Sequence, residues 1–314
     1  MAGGPHSGEY PMKIFLSSLP IEVLKALNVI NPELNPNVLI TYYGLTNQMD
    51  YVSRHRSLIG SLIMDCGAFS LNNIYRDPVA RSKESNKLFA KYKFDAPLIQ
   101  SNYDFLFSFD DAFDPDSFEH NLERLHDLES NGVRAVPVVH NLANEEVDYY
   151  IDHGYKVIAI GQCQGQNREN LEILWPVVDK LYSAGVRTHL FGMTSPGTIS
   201  HVPAYSCDAK TWIDYAARGR VLFWNPENPK LDKTDLVYFP KNQKFPDDGP
   251  GTYYHDYPHL DAFKEYIGGK LCIELRDLLG LQREMYRKLV NVLYFLELEE
   301  MITINHRAEG IKFD

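Results

Sequence analysis

The sequence predicts an α/β fold: a (β/α)8 TIM-type barrel with an irregular insertion and a C-terminal helical element. Three observations carry this expectation. Eight short apolar runs recur along the 314 residues. Several lack polar alternation, as parallel strands covered on both faces do. The junctions between helix and strand also repeat, as "NGVRAV", "HGYKVI", "AGVRTH" and "RGRVLF". Each is a helix stop, a glycine, a basic residue and a new strand. A doubly wound open sheet is the alternative architecture. No GxGxxG or GxxxxGK[ST] loop occurs, which weakens its nucleotide-binding forms.

Taken in order, the strands are expected at "KIFLS" (13–17), "VLITYY" (38–43), "SLIMD" (61–65) and "DFLFSFD" (104–110). They continue at "RAVPVVH" (134–140), "KVIAIG" (156–161), "RTHLFG" (187–192) and "AYSCD" (204–208). The helices between them are well marked. After Asp116, Phe118, Leu122, Leu125 and Leu128 fall at helical spacing before a stop at Gly132. Asn144 can cap a helix carrying Val147, Tyr150 and Ile151, which stops near Gly154. Leu171, Leu174, Val178 and Leu181 mark another, ending near Gly185, with Pro176 bending it or marking its first turn. The barrel is expected over 12–268, including a Pro-, Asp-, Tyr- and Lys-rich irregular excursion at 225–268. Residues 269–314 read as the helical element, and 1–11 as a flexible leader.

Composition narrows the function classes. Hydrophobic and charged fractions of 44% and 23% fit a globular chain with a large core. No apolar run is long enough to span a bilayer, so no membrane contact is expected, and four cysteines far apart read as free thiols in a reducing cytoplasm. Cys66, Cys163, Cys207 and Cys272 form no CxxC or CxC pair, and no metal site is read from their spacing. The formal net charge of −11 argues against nonspecific nucleic-acid binding. Within it, however, Arg54, Arg56, Arg76, Arg81, Lys83, Lys87, Lys91 and Lys93 form a basic sector.

In a barrel, the chemistry sits at the C-terminal ends of the strands. Strand three ends in Asp65, strand four in Asp110 and Asp111, and strand five in His140 and Asn141. Strand six ends in Gly161 and Gln162, strand seven in Phe191 and Gly192, and strand eight in Asp208. Singly, each has a structural reading: Asp65 can cap its turn, Asp208 can cap the helix that follows, and Phe69 and Phe191 can be core. Jointly they bring carboxylates, an imidazole, amides and aromatics to one rim. Two carboxylates facing each other suit chemistry at a sugar anomeric carbon, one as nucleophile and one as acid/base, about 5–5.5 Å apart in retaining reactions. At such separations they repel, and one tends to hold a proton near neutral pH.

In order along 60–215, "DCGAFS", "LFSFDDA", "VVHN", "VIAIGQ", "LFGMTSP" and "YSCD" resemble the motif series of the tRNA-guanine transglycosylase superfamily. The "DxGAFS" form and "YSCDAKTW", with Trp212 after the aspartate, are closer to its DNA-directed 7-deazaguanine paralogues, often phage-encoded. The resemblance implies a pentosyltransferase that replaces guanine in DNA with a preQ0-like 7-deazaguanine base through a covalent aspartate–sugar intermediate. It makes Asp208 the nucleophile and Asp65 the general acid/base. Phe69 and Phe191 would stack on the base, and Asp110 would bind its edge. His140 stands where the family has glutamine, with Asn141 beside it. Gly161 and Gln162 would complete the pocket floor, and Ser70 and Gly192 belong to the same substrate-binding set.

The family's Cys-x-Cys-x2-Cys…His zinc site has no counterpart, since only Cys272 follows Asp208. No cofactor is implied. DNA and the incoming base are the expected partners, with a homodimer or an accessory protein as a further possibility. Phosphate contacts are assigned to the basic sector and to Lys230, Lys233, Lys241 and Lys244. The same chemistry on tRNA and a non-catalytic nucleic-acid-binding paralogue are the alternatives, and a generic sugar hydrolase is a further enzyme reading.

Overall fold

The structure is a computed structural model that describes residues 11–43, 54–114, 116–143, 145–161, 171–229, 233–240 and 249–313. Nine parallel strands form one sheet: β1 (Lys13–Ser17), β2 (Asn37–Thr41), β3 (Leu62–Asp65), β4 (Phe105–Phe107), β5 (Ala135–Val136), β6 (Val138–Val139), β7 (Val157–Ile160), β8 (Arg187–Leu190) and β9 (Ser206–Ala209). Their order is β5-β4-β3-β2-β1-β9-β8-β7-β6. The two ends of that order, β5 and β6, are halves of one strand separated only by Pro137. Proline has no N–H and interrupts the ladder. Its carbonyl still accepts from Ala159 N at 2.9 Å, so the strand stays joined to β7. The sheet is therefore an eight-position barrel nearly closed on itself, with helices outside, which is the expected TIM-type fold.

Alternation along the strands sorts the side chains. Phe15, Leu39, Ile63, Phe107, Val136, Val138, Val157 and Ala159 pack together inside the barrel, with Phe105 and Phe191 against them. Their neighbours Ile14, Leu16, Val38, Ile40, Leu62, Met64, Ile158 and Ile160 pack outward. Successive strand residues point to opposite faces, so both faces must be apolar, and the strands read as unbroken apolar runs.

The helices are α1 (Ile21–Ile30), α2 (Ala68–Ile74), α3 (Pro78–Ile99), α4 (Phe118–Ser130), α5 (Glu146–Asp152), α6 (Leu171–Ser183), α7 (Pro196–Ile199), α8 (Thr211–Ala217), α9 (Leu260–Leu271) and α10 (Arg283–Ala308). Stops at Gly132, Gly154 and Gly185 occur as expected, each at positive φ. Pro176 lies inside α6. The cap expected at Asn144 lies outside the described residues.

The stretch 225–268 is more ordered than its composition implies. Strands β10 (Arg220–Trp224), β11 (Thr234–Tyr238) and β12 (Thr252–Tyr253) form a second sheet, and α9 begins within this stretch. β11 pairs antiparallel with β10, so its backbone polar groups are satisfied despite Pro- and Asp-rich flanks. Helix α10 ties this sheet to the barrel. Its buried Asn291 accepts from Leu222 N at 2.7 Å and donates to Trp212 O at 2.9 Å and Arg220 O at 3.2 Å. Farther along, Glu299 accepts from Ile14 N at 2.6 Å and Asn37 Nδ2 at 2.7 Å. β2 starts opposite Phe15, so Ile14 N–H has no strand partner on that side, and the carboxylate supplies one.

Two predictions follow from these anchors. Burial raises the Glu299 carboxyl to about 7, against the opposing effect of the Ile14 and Asn37 donors. The folded state thus keeps a proton that the unfolded chain releases. The stabilisation is full below the ordinary value of 4.5 and declines as pH rises to about 7. Urea unfolding at pH 5 and pH 8 is expected to show Glu299→Gln losing less stability between the two than wild type, by on the order of 2 kcal/mol. The second concerns Gly67, at φ +88°, where a Cβ would lie 2.4 Å from Tyr43 Cβ and 2.6 Å from Thr41 Cγ2. Gly67→Ala is expected to cost roughly 2–4 kcal/mol of stability in the same measurement.

Candidate active site

The same alternation that fills the barrel builds its mouth. On β3, Ile63 faces in, so Asp65, two residues on, also faces in at the C-terminal end. On β9, Cys207 and Ala209 pack outward and leave Ser206 and Asp208 inside. Val138 is inside, and His140 follows at the same parity; so do Gly161 after Ala159 and Phe191 after His189. Ser17 ends β1 opposite Leu39 of β2.

Asp208 is held on both oxygens. Ser17 Oγ donates to Oδ2 at 2.6 Å, and Gly192 N donates to Oδ1 at 2.6 Å. Gly192 has φ +71°, a turn that aims its N–H back at the carboxylate. Behind Ser17, the fully buried Trp212 donates Nε1–H to Ser17 O at 3.1 Å. The imidazole of His189 lies beneath, its Nε2 3.8 Å from Asp208 Oδ1 and its Nδ1 2.9 Å from Ser206 Oγ. Lys210 is the N-cap of helix α8 and no side chain caps it, so Asp208 is committed to the mouth rather than to the helix.

Asp110 is also held on both oxygens. Cys66 Sγ donates to Oδ1 at 3.2 Å, and His140 Nε2 lies 2.9 Å from Oδ2. The backbone turns after Phe107, since Phe109 packs outward on Phe89 and Tyr92, and this swing carries Asp110 to the rim. His140 rests on Gly161, where a Cβ would come within 2.6 Å of its Cε1 and Nδ1. Only glycine leaves room for the ring. Asn141 closes its own turn, its Oδ1 accepting from Ala143 N at 3.0 Å.

Asp65 differs from both. Burial, and then the charges of Asp110 and Asp208, raise its carboxyl to about 7, although the Gly67 and Cys66 N–H groups favour its ionised form. In this three-carboxylate cluster its affinity for a proton is raised. Burial and the same acidic neighbours push the Cys66 thiol up, which keeps its proton on the bond to Asp110. Asp65, Cys66 and Asp110 each offer one ligand atom, all within 4.8 Å of one another, so this trio could hold a metal ion.

Among the remaining expected residues, Phe191 stands at the inner wall, 4.7 Å from Phe107 and 4.6 Å from His189 between ring centroids. Phe69 is 67% exposed at the rim, edge-on to Phe113 at 6.4 Å. Phe113 in turn meets the His140 ring at 5.0 Å. Ser70 is exposed on α2. Gln162 lies outside the described residues, as do Lys230, Lys241 and Lys244. Asp111, expected beside Asp110, points away from the mouth. It accepts from Ser85 Oγ and lies 2.6 Å from His120 Nε2 and 3.8 Å from Arg124. Sequence reasoning missed Ser17, Cys66 and His189. Ser17 and His189 had a signal, a polar or titratable residue at an inward position of an apolar strand; Cys66, just past the end of β3, did not.

No protein-family model matches the chain. No curated protein matches it either. Among solved structures, a putative fructose-1,6-biphosphate aldolase from Coccidioides immitis is 11% identical with a TM-score of 0.49, over 96% of this chain and 93% of that one. The YdjI aldolase from Escherichia coli K12 is 16% identical with a TM-score of 0.39, over 66% and 78%. The expectation of a tRNA-guanine transglycosylase relative, exchanging guanine for 7-deazaguanine in DNA, is corrected by these findings: no family model matches, and these two solved structures are described as aldolases. At these identities the neighbours say nothing of what this chain acts on. The misleading motifs have a physical origin in the barrel. Gly67 and Gly161 stand where no Cβ fits, and acidic residues close inward-facing strand ends. Such a pattern follows from building a polar mouth on an apolar barrel, whatever the reaction.

Proposed function

We propose that this chain is an enzyme whose reaction turns on proton transfer by Asp65. The observation that carries the reading is the setting of that carboxyl: raised to about 7, at the barrel mouth, beside two carboxylates that are each fixed by two protein contacts. A group titrating near neutrality both gives and takes a proton efficiently at working pH. Asp65 serves as general acid toward a departing oxygen or nitrogen, and as base in the return step. Asp208 accepts an O–H and an N–H from the protein, an arrangement that suits the carboxylate form. It faces the reacting atom as a fixed negative charge that stabilises developing positive charge. The charge of Asp110, clasped by Cys66 and His140, adds to burial in raising the Asp65 carboxyl. The mouth therefore favours a substrate portion that is uncharged or cationic and rich in hydrogen-bond donors.

The test is a carbon-13 titration of the Asp65 carboxyl by NMR. It is expected to titrate near 7 in wild type and lower in Asp110→Asn and Asp208→Asn, each of which removes one repelling charge. A wild-type value in the ordinary carboxylate range would end the proposal. Once a substrate is in hand, Asp65→Asn is expected to cost about 10²–10⁴ in kcat and to remove the inflection near 7 from the pH–rate profile.

A further inference from the structure

One imidazole stands inside the barrel with a nitrogen left over. His189, on β8, is 0% exposed. Its ring is enclosed by Phe15 at 6.1 Å, Phe107 at 5.0 Å and Phe191 at 4.6 Å between centroids. Nδ1 lies 2.9 Å from Oγ of Ser206, its register partner on β9. Nε2 has no hydrogen-bond partner among the described residues. It lies 3.8 Å from Asp208 Oδ1, an electrostatic contact too long for a hydrogen bond. Among the described residues, the other two buried imidazoles set Nε2 against an oxygen, at 2.9 Å in His140 and 3.1 Å in His306. Buried polar atoms normally find a partner, and a phenyl ring would fill this space without the cost of leaving one unpaired. An imidazole here therefore has a reason other than packing.

Asp208 supplies that reason. Ser17 and Gly192 hold its oxygens at the mouth, while Phe15 and Phe107 pack inside the barrel below. A carboxylate resting on apolar rings is poorly solvated from that side. The place of the His189 proton decides whether the imidazole helps. With the proton on Nδ1, the Nε2 lone pair faces a negative oxygen. With the proton on Nε2, an N–H dipole points at that oxygen. Ser206 accommodates either arrangement, because a hydroxyl both donates and accepts. We propose that His189 is a positioning residue for Asp208: held in the Nε2–H tautomer, with Ser206 donating to Nδ1, it aims its N–H at the carboxylate from inside the barrel. The contact steadies the negative charge and keeps the carboxylate turned to the mouth. This role deepens the acid–base reading and rests on it only for the work Asp208 does toward a substrate. The tautomer and its coupling to Asp208 rest on the geometry of β8 and β9.

The experiment is NMR of the full chain with nitrogen-15 histidine and carbon-13 aspartate at neutral pH. The His189 ring signals are assigned by their loss in His189→Gln, and the Asp208 carboxyl signal by its loss in Asp208→Asn. Wild type is expected to show His189 with Nε2 protonated and Nδ1 bare. Asp208→Asn is expected to mix the two tautomers, because the charge that selects one is gone. His189→Phe fills the ring's volume but offers no N–H, and it is expected to shift the Asp208 carboxyl signal. His189→Gln, whose amide N–H reaches toward the same oxygen, is expected to hold that signal near its wild-type place. A packing role alone predicts the reverse order for the two variants. Thermal melting confirms that the variants fold, and should His189→Phe fail to fold, the tautomers of wild type and Asp208→Asn still decide. A proton on Nδ1 in wild type overturns the proposal. So does an unchanged tautomer in Asp208→Asn, or an Asp208 signal that His189→Phe leaves in place. The Asp65 carboxyl is read in the same spectra, so an ordinary titration there ends the acid–base reading and leaves the His189 result standing.

Discussion

Closure of the sheet through residues 135–139 is the constraint on which the rest of the molecule depends. Once β5 and β6 join the ends of the strand order, every strand has an inside and an outside, and the pleat assigns residues to them alternately. Phe15, Ile63, Phe107 and Val138 fill the inside. Residues two positions farther toward the C-terminal ends reach the mouth, where the packed layer stops. Asp65, His140, Gly161, Phe191 and Asp208 are neighbours for this reason, although up to 143 residues separate them in the chain. A slip of one residue in any strand would send its polar end into the helical layer, where an unpaired carboxylate has no solvation.

The electrostatics follow from that crowding. Three carboxylates share one mouth, and each is met by two groups of the protein. Asp208 takes Ser17 and Gly192, with Trp212 steadying Ser17 from behind. Asp110 takes the Cys66 thiol and His140. Asp65 takes the Gly67 and Cys66 N–H groups, which do not outweigh burial and two negative neighbours, so its carboxyl is raised to about 7. Burial weighs most at Asp65, followed by the charges of Asp110 and Asp208, and the backbone donors work against both.

The outer elements serve this arrangement at a distance. Helix α10 caps the open N–H of Ile14 with Glu299 and grips β10 and α8 through Asn291. Helix α8 carries Trp212, and Trp212 reaches Ser17. A single chain of contacts thus links the last long helix to the nucleus of the mouth. It also explains why the second sheet and the C-terminal helices pack as part of the barrel's surroundings rather than trailing from it.

Much of this was legible in the residues. The unbroken apolar runs marked the strands, and the glycine–basic junctions marked where helices give way to them. "KIFLS" matched β1 to the residue, and "RAVPVVH" held the strand that Pro137 divides. The rim positions of Asp65, Asp110, His140, Gly161, Phe191 and Asp208 followed from the barrel expectation alone. Function did not follow from the motifs, because short glycine and carboxylate strings express barrel geometry before they express a reaction. Asp111 was misplaced because two adjacent carboxylates in a turn point apart, and only the packing of Ser85, His120 and Arg124 decides which one faces out. The strand at 234–238 was hidden by its flanks, because pairing with β10 is a long-range contact. By itself the sequence determined the alternation, and hence the barrel and the residue types at its mouth, since side-chain parity is local and of fixed period. Tertiary structure alone decided that the Asp65 carboxyl is raised, because the burial and the charges responsible are brought together from strands far apart in the chain.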